Sequence, residues 1–245
     1  MTISIRATGT ATSGTANLTP AIPAGATAGD MMICVYGTKP YSDAPTINNG
    51  WTSLGSATDG TVAAGVDVGS MQTRIFYKEH TGTESNPTVS NSTNNVSTAL
   101  IIVFQKTAAG WAALVGAGGG DATAGTGFSV TMGSDVGHTA GDMVVGGAAF
   151  RSDGATPTSG NGMTIAGTTL GSYTKSPATD PETTSGGDMG MTIGYIPVNS
   201  GTSTGAPVFS CTLGAAHTGS AFFARLREIA SSFVFNNTLA TMGVG

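Results

Sequence analysis

Charged side chains are scarce in this 245-residue chain. Asp, Glu, Lys and Arg make up 9% of the residues, against roughly 25% in ordinary soluble domains. The basic residues are scattered, with Arg225 and Arg227 the only close pair. Nucleic-acid binding requires a basic patch, so the sequence predicts no contact with nucleic acid. A surface rich in Ser, Thr, Gly and Ala instead favours a protein that packs against copies of itself or other subunits.

Cysteines and long apolar runs are also few. Cys34 and Cys211 each lie inside an apolar segment. Because a disulfide framework uses more cysteines than this, we interpret both as buried free thiols. No window approaches the roughly 18 apolar residues of a membrane span, and the first ten residues lack the pattern of a signal peptide. We therefore expect no membrane association, and synthesis and folding in a cytoplasm.

Motifs that carry chemistry are almost absent. No G-K-[ST] phosphate-binding sequence occurs, and none of the three histidines has a partner at the spacing of a metal site. Ser203 lies in GTSTG, which matches the G-x-S-x-G nucleophile elbow, but a strand rather than a helix is predicted to follow it. Asp180 and Glu182 lie in a segment typical of a solvated loop. We predict a non-enzymatic protein that needs no metal or cofactor.

An internal repeat is the main positive feature of the sequence. The string TAGDM occurs at residues 27–31 and 139–143, each time directly before an apolar run. Other matches follow in the same order: GTATSGT with GDATAGT, NGWT with NGMT, MQTRIFYKEH with MTIGYIPVNS, and STALIIVF with GSAFFARL. Ordered matches favour tandem duplication over low complexity. We predict a first domain at residues 1–108 and a second, repeating it, at residues 109–229.

The alignment of the two copies makes specific expectations. It places Asp30 opposite Asp142, and it places Trp51 opposite Met163. It also aligns the strand that begins at Met71 with one that begins at Met191.

Both domains are predicted to be all-β. Short β-branched segments recur between clusters of Gly, Asn, Asp, Pro and Ser, which is typical of antiparallel β-sandwich or jelly-roll-like domains. The strand candidates of the first domain are residues 3–7, 31–36, 71–77, 88–90 and 98–105. Those of the second are residues 112–115, 128–132, 143–150, 191–196, 208–213 and 221–228. The glycines after residue 115 predict that the chain there enters a loop.

Each TAGDM copy predicts a turn that leads into a buried strand. Gly29 and Gly141 can adopt a positive φ without a Cβ penalty. Asp30 and Asp142 can accept hydrogen bonds from nearby backbone amides. The alternative is calcium ligation, which needs six to eight oxygen ligands, and no D-x-D-x-D-G loop surrounds either copy. We interpret these four residues as structural.

The strands MMICVY and ALIIVF do not alternate between apolar and polar residues, as half-exposed strands do. Something must cover their second face, and the candidates are the sister domain, another subunit or a long loop. We expect the first domain to be the more buried of the two within an assembly.

Three further features concern possible contacts. Trp51 and Trp111 are either core residues or platforms for sugar stacking, and core packing is the simpler interpretation. Residues 230–245 have no counterpart after the first domain, so we interpret them as a C-terminal arm that docks on its own body or on a neighbour. The candidate interface residues of this arm are Phe233, Val234, Phe235, Leu239 and Met242.

The arrangement PAGATAGDMMICVYG…NNGWTSLG…TRIFYKEHTGTESNPTVS…STALIIVFQ resembles a β-sandwich module of tailed-bacteriophage virion proteins. The matching positions are Pro23, Gly25, Gly29, Asp30, Gly50, Trp51, Thr52 and Pro87. The second domain departs from this pattern, because Met163 replaces the tryptophan and no proline stands at its start.

The resemblance implies a structural protein of a tailed phage, made in the host cytoplasm and located in the virion. Such a protein stabilises or decorates the capsid, or forms part of the tail, by multivalent packing against other virion subunits and as a homo-oligomer. The alternative is a cell-surface adhesion or carbohydrate-binding module on the virion.

Overall fold

The computed structural model describes residues 3–39, 44–59, 71–90, 96–108, 110–151, 157–177, 180–183 and 189–229. Over these ranges the chain is all-β, with several antiparallel sheets. None of the described segments forms a helix with the length and hydrophobicity needed to cross a membrane. The predicted arm at residues 230–245, with its five candidate interface residues, lies outside the described residues.

The first half of the chain forms one large antiparallel sheet. Its strands are β1 (Ser4–Thr8), β2 (Thr12–Gly14), β3 (Met31–Lys39), β4 (Thr46–Ile47), β5 (Thr52–Thr58), β6 (Gln72–Glu79), β7 (Val89–Ser90) and β8 (Val96–Gln105). The first sheet has the order β1-β8-β3-β6-β5, and β2 also pairs with β8. β4 and β7 form a separate two-stranded ladder.

The second half forms the second sheet. Its strands are β9 (Gly110–Trp111), β10 (Val115–Thr131), β11 (Met143–Phe150), β12 (Pro157–Thr164), β13 (Thr168–Leu170), β14 (Thr174–Lys175), β15 (Glu182–Thr183), β16 (Met189–Gly201), β17 (Val208–Leu226) and β18 (Glu228–Ile229). The order is β10-β17-β11-β16-β13. β12 pairs with β17, β14 and β15 pair with β16, and β9 pairs with β18.

The two sheets have the same strand order. β1, β8, β3 and β6 correspond in turn to β10, β17, β11 and β16. Thr52 of β5, which pairs with Tyr77, corresponds to Thr174 of β14, which pairs with Tyr195. The registers correspond as well, because Met31 pairs with Phe104 in the first sheet and Met143 pairs with Leu226 in the second. The last strands of the two halves therefore match at an offset of 122 residues, as in the sequence alignment.

One strand of the repeat is shifted from the sequence alignment. The methionines that follow the two turns pair with Glu79 in β6 and with Pro197 in β16. This pairing makes Met71 of the first half equivalent to Met189 of the second half, and not to Met191. The sequence MGM offered two methionines to align, and only the inter-strand register distinguishes between them.

The predicted equivalence of Trp51 and Met163 is wrong. Gly50 has a φ of 74° just before β5, and Gly167 has a φ of 82° just before β13. In each turn the residue after the glycine donates its N–H to the carbonyl three residues back. Trp51 precedes β5, which pairs with β6, whereas Met163 lies inside β12, which pairs with β17. The shared NG dipeptide misled the alignment, because Asn-Gly occurs in many unrelated turns.

A single apolar cluster joins the two sheets face to face. Alternate residues of each central strand point into it, for example Ile33 and Val35 of β3 against Val145 and Ala149 of β11. Its fully buried members, at 0% exposure, are Ile33, Val35, Met71, Ile75, Leu100, Ile102, Phe104, Val145, Ala149, Met189, Met191, Ile193, Ala224 and Leu226. The two halves of the chain thus share one core.

The opposite face of each sheet has its own apolar cover. In the first half, Met32, Cys34 and Tyr36 of β3 pack beneath Leu18 and Trp51. In the second half, the outer cluster is closed by β12 and by the far ends of β10 and β17. One face of MMICVY and ALIIVF therefore packs against the sister half, and the other face is covered by a loop of the same half.

The glycine-rich stretch that the sequence places in a loop belongs to strand β10, which runs unbroken from Val115 to Thr131. A Cβ at Gly118 would lie 2.5 Å from Phe222 and 2.6 Å from Ala57. Glycine is required there because β10 lies directly against β5 of the other sheet. The two strands predicted at residues 208–213 and 221–228 are likewise one strand, β17.

Candidate functional site

The two TAGDM segments form the same turn. Gly29 has a φ of 88° and Gly141 a φ of 90°, which is the position of a type II turn that favours glycine. Asp30 N–H donates to the Thr27 carbonyl, and Asp142 N–H donates to the carbonyl of Thr139, both at 3.1 Å. Each Asp side chain accepts a hydrogen bond in return from the N–H of that threonine, at 2.8 Å. The carboxylate therefore closes the turn it follows.

The turns are also fastened to a neighbouring strand. Gly29 N–H donates to the His80 carbonyl, and His80 N–H donates to the Asp30 carbonyl, both at 2.8 Å. In the second half, Val198 exchanges the same two bonds with Gly141 and Asp142, at 2.8 and 2.9 Å. The turn thus fixes where the central strand of each sheet begins.

Each turn carboxylate is buried and paired with an arginine. Asp30 and Asp142 are both 3% exposed. Arg6 lies 2.5 Å from Asp30, and Arg227 makes two bonds to Asp142, at 2.6 and 2.7 Å. A buried carboxylate needs such a partner because desolvation of an unpaired charge is costly. The sequence did not predict these pairs, since each arginine lies far from its aspartate along the chain.

The geometry of the turns does not resemble a calcium site. Within the described ranges, no group of three or more His, Cys, Asp or Glu side chains converges as metal ligands would. The oxygens of Asp30 and Asp142 are directed at backbone N–H groups and guanidinium groups. Calcium requires six to eight oxygens around one point, which neither turn offers.

A cavity lies beside the second turn. It has a volume of about 180 Å³ and is lined by residues 139–142 together with Arg227 and Glu228. A neighbouring cavity of about 400 Å³ shares Ala140, Gly141 and Asp142 and adds the apolar Ile3, Met143, Pro197 and Val198. Ala140 and Gly141 are exposed at its rim.

The first turn is covered by the chain that links the two halves. The Trp111 indole N–H donates to the Gly29 carbonyl at 2.9 Å. Lys106 Nζ lies 5.4 Å from the centre of the Trp111 ring, within cation–π range. Glu228 holds the linker in place by accepting hydrogen bonds from the N–H groups of Thr107 and Ala108.

Neither tryptophan is placed as a free stacking platform. Trp51 is 7% exposed and belongs to the outer apolar cluster of the first half. Trp111 is half-buried, and its indole N–H and ring are used by Gly29 and Lys106 as above. Both side chains have a packing role in this fold.

Ser203, the centre of the GTSTG sequence, lies beside a histidine and an aspartate. Its hydroxyl donates to Asp135 at 2.7 Å and accepts from the backbone N–H of His138 at 2.8 Å. A catalytic triad instead needs the serine hydroxyl bonded to the histidine ring. The His138 ring is 1% exposed, with Nδ1 3.8 Å from Asp135, and burial lowers the pKa of His138. Ser203, Asp135 and His138 therefore stabilise a loop, and the Ser203 hydroxyl is not oriented as a nucleophile activated by the histidine.

Glu84 organises a corresponding loop in the first half. Desolvation would raise the pKa of Glu84, but hydrogen bonds from the Thr81 N–H and hydroxyl, with the nearby His80 and Lys78, lower it to about 2. The Thr81 bonds are both 2.7 Å long, and His80 Nε2 lies 3.1 Å from the carboxylate. Glu84 is therefore ionised and bound within its own loop.

Three of the remaining candidate side chains, those of Cys34, Cys211 and Asp180, are largely shielded from solvent. Cys34 and Cys211 are buried free thiols, and burial raises the pKa of each to about 12. Asp180 binds Lys175 at 2.6 Å, and the side chain of Glu182 lies outside the described residues.

The sequence did not predict the polar contacts between the two halves. Asp59 is 1% exposed, and it accepts hydrogen bonds from Thr218 at 2.8 Å and from Arg151 at 3.3 Å. Nearby, Thr73 and Ser220 bond through their hydroxyls at 2.9 Å. No motif marks these residues, because each pair joins positions more than 90 residues apart.

All nine basic side chains of the protein are engaged within the fold. Six form ion pairs: Arg6, Lys78, Lys106, Arg151, Lys175 and Arg227. Lys39 and Arg225 donate to backbone carbonyls, and Arg74 donates to Ser53 and Ser56. The basic side chains thus stabilise contacts within the protein.

No protein-family model, curated protein or solved structure matches the chain.

Proposed function

We propose that this protein is a non-enzymatic structural protein of a tailed-phage particle. In this role it stabilises or decorates the capsid, or forms part of the tail, through many weak surface contacts repeated by symmetry. Its partners are other virion subunits and other copies of this chain, and its location is the virion after synthesis in the host cytoplasm.

The observation that carries the proposal is the use of every basic side chain inside the fold. A protein that binds nucleic acid or an anionic surface presents unpaired Lys and Arg. Here all nine are held by carboxylates, carbonyls or hydroxyls of the same chain. The surface available for contact with other proteins is therefore rich in Ser, Thr, Gly and Ala.

The arrangement of the titratable groups supports a non-enzymatic role. The aspartates of the two turns, Glu84, and the Ser203 cluster each close a loop. Catalytic groups are usually positioned at a cleft with a partner oriented toward a substrate. The proposed architecture is two tandem jelly-roll-like units that share a core where their sheets meet, followed by a C-terminal arm. The shared strand order of the two sheets supports the duplication.

The test is to locate the protein on particles. Antibodies against the purified protein would be used for immunogold microscopy of particles prepared from a culture that encodes this sequence, with mass spectrometry of the same particles. We expect gold at regular positions on capsid or tail, and the protein at a fixed ratio to the main capsid protein. Absence from purified particles would contradict the proposal.

A glycan array with the purified protein distinguishes the adhesion alternative. We expect no binding above background, since both Trp51 and Trp111 are used in packing. Reproducible binding to one class of glycan would favour an adhesion module over a purely structural subunit.

A further inference from the structure

Equivalent residues of the two halves touch each other along the central strands β3 and β11. Gly37 and Ala149 occupy the same position of the repeat, and a Cβ at Gly37 would lie 3.2 Å from the Ala149 Cβ. Val35 and Gly147 are equivalent in the same way, and a Cβ at Gly147 would lie 3.2 Å from Val35 Cγ1. Each half thus meets its own counterpart at these positions.

A third equivalent pair extends this row to the ends of the two strands. Lys39 Nζ donates to the Arg151 carbonyl at 2.5 Å, and the two residues are 112 positions apart. A two-fold axis places each residue near it beside its own counterpart, as in a symmetric dimer. The row therefore defines an approximate two-fold axis that runs along β3 and β11. The neighbouring strands agree, because β6 contacts β11 and β17 as β16 contacts β3 and β8.

The pairs at the axis combine a larger residue with a smaller one. Val35 meets Gly147, and Ala149 meets Gly37. In a pair of first halves, Val35 would face a second valine where it now faces a glycine, and two Gly37 residues would leave a gap. A pair of second halves would leave a gap between two Gly147 residues. Because overpacking and cavities both destabilise a core, the axis favours the pairing of unlike halves.

A buried carboxylate beside the axis adds to this preference. Asp59 of the first half is 1% exposed and accepts a hydrogen bond from Thr218 of the second half at 2.8 Å. The register of the last strands makes Val96 the counterpart of Thr218. In a pair of first halves Asp59 would therefore face the methyl groups of Val96. A buried carboxylate that loses a hydrogen-bond donor is destabilised.

A pair of buried hydroxyls opposes the pairing of second halves. The hydroxyls of Thr73 and Ser220 bond at 2.9 Å, and both residues are 0% exposed. Met191 is the counterpart of Thr73, because Met71 and Met189 are equivalent. In a pair of second halves Ser220 would face Met191 and lose this bond. Contacts that penalise the wrong partner are a general source of specificity.

We propose that the inner face of each half is a pairing surface built like that of a symmetric dimer, and that it accepts the opposite half and rejects a second copy of the same half. In the first half this preference is set by Val35 and Gly37 at the axis and by Asp59 and Thr73 beside it. The proposal goes beyond the proposed function and holds whether or not the protein belongs to a virion.

A cleavable form of the full-length chain tests the preference. Ala113 is exposed and lies between β9 and β10, so a protease site inserted after it can be cut in the folded protein. The cut protein is unfolded in urea, refolded by dilution and examined by native mass spectrometry, in which the unequal fragments give three distinct dimer masses. We expect the unlike pair to exceed each like pair by about ten-fold or more.

Two variants of the cut protein locate the source of the preference. Thr218→Val removes the hydroxyl that bonds Asp59, and it should lower the ratio of unlike to like pairs several-fold. Thr212→Val in the same strand is the matched control, because Thr212 is exposed, and it should leave the ratio unchanged. Like pairs as abundant as the unlike pair would overturn the proposal. So would fragments that fail to reassociate where the uncut chain refolds, or equal ratios in the two variants.

A second measurement tests the axis in the uncut chain. Ala149→Gly should lower the Tm by roughly 3 °C or more. With Gly37→Ala also present the loss should be less than half as large, because the new methyl group lies beside the position of the old one. Ala148→Gly is the control, since Ala148 belongs to the outer cluster, and its loss should be the same in both backgrounds. Equal losses for Ala149→Gly in the two backgrounds would contradict the axis.

Discussion

The two halves of this protein share a turn and differ in how they support it. In both, a Thr-Ala-Gly-Asp turn closes on its own carboxylate and starts the central strand of a sheet. In the first half the carboxylate is paired with Arg6 from the edge strand β1. In the second half it is paired with Arg227, which follows the last strand β17. The turn is the same in both halves, but the arginine that pairs with its carboxylate comes from a different part of each half.

This difference separates local from tertiary requirements. The turn needs glycine for its positive φ and aspartate for its N–H acceptor, and both requirements lie within four residues. The buried charge needs a guanidinium nearby, and any strand that passes the turn can supply one. The edge strands differ in the same way: β1 and β2 are short, whereas β10 is a single glycine-rich strand pressed against the other sheet.

The largest expected effect comes from filling the glycine-rich strand of the second half. Gly118→Val would place side-chain atoms where Phe222, Ala57 and a backbone carbonyl already lie. We expect a loss of about 3 kcal/mol or more in the free energy of unfolding, since overpacking of a core costs roughly 1–3 kcal/mol and occasionally more. Urea denaturation followed by tryptophan fluorescence measures it.

Gly127→Val is the matched control for that change. Gly127 lies in the same strand, but a Cβ there would meet nothing within 4 Å. We expect a change within about 0.5 kcal/mol, as for most surface substitutions. Equal destabilisation by both variants would show that the glycines serve backbone flexibility and not the close approach of β10 to β5.

The next largest effect compares the two arginines. Arg227 bonds both oxygens of Asp142 and also reaches Thr139 and the Gly137 carbonyl. We expect Arg227→Ala to cost about 2–3 kcal/mol, because hydrogen bonds to buried charges are worth roughly 1.5–3 kcal/mol each and the arginine is partly solvated. Thermal and urea unfolding curves provide the measurement.

Arg6→Ala should cost less, about 1 kcal/mol, because Arg6 is a partly exposed partner of Asp30, whereas Arg227 also bonds Thr139 and the Gly137 carbonyl. The ratio of the two losses is the informative quantity. If Arg6→Ala proves the more damaging variant, the first turn depends on its arginine more than the geometry indicates.

A smaller effect is expected from changing the tryptophan that covers the first turn. Trp111→Phe keeps an aromatic ring over the first turn and removes the indole N–H bond to the Gly29 carbonyl. We expect a loss of about 1 kcal/mol, the net value of one hydrogen bond. A loss above about 3 kcal/mol would indicate that the indole is a core residue and not a cover. Differential scanning calorimetry can separate these outcomes.

The free energy of unfolding should depend on pH in part through Glu84, which lies in a loop of the first half. Because its folded pKa is lowered from 4.5 to about 2, ionised Glu84 stabilises the fold above pH 4.5. That contribution is lost as the pH falls from 4.5 toward 2. In Glu84→Gln the decline over this window should be shallower, measured by urea unfolding at each pH. An unchanged decline would show that other carboxylates govern acid unfolding.

Sequence reasoning succeeded where the requirement is local. The glycine and aspartate of each turn, and the doubly apolar strands β3 and β8, were visible as short patterns. The covering of both faces of those strands was also anticipated. The structure shows which of the three candidates does it: the sister half on one side and loops of the same half on the other.

Sequence reasoning failed for features that depend on contacts between residues distant in the sequence. The run of glycines in β10 reads as a loop by propensity, and only the proximity of Phe222 and Ala57 explains why a strand needs it. Asp59 and its partners Arg151 and Thr218 have no local signature at all. The Trp51–Met163 alignment failed because an Asn-Gly pair is too common to fix a register.

The two halves share one core, and we therefore expect that neither half folds alone. The most direct test is to express residues 1–108 and 109–245 as separate fragments and record two-dimensional NMR spectra of each and of their mixture. Without the second half, the first exposes the face formed by Ile33, Val35, Leu100 and Ile102, so we predict aggregation or a collapsed spectrum for each fragment and a dispersed spectrum for the mixture. A dispersed spectrum and cooperative unfolding from monomeric 1–108 alone would show that the first half completes its own core.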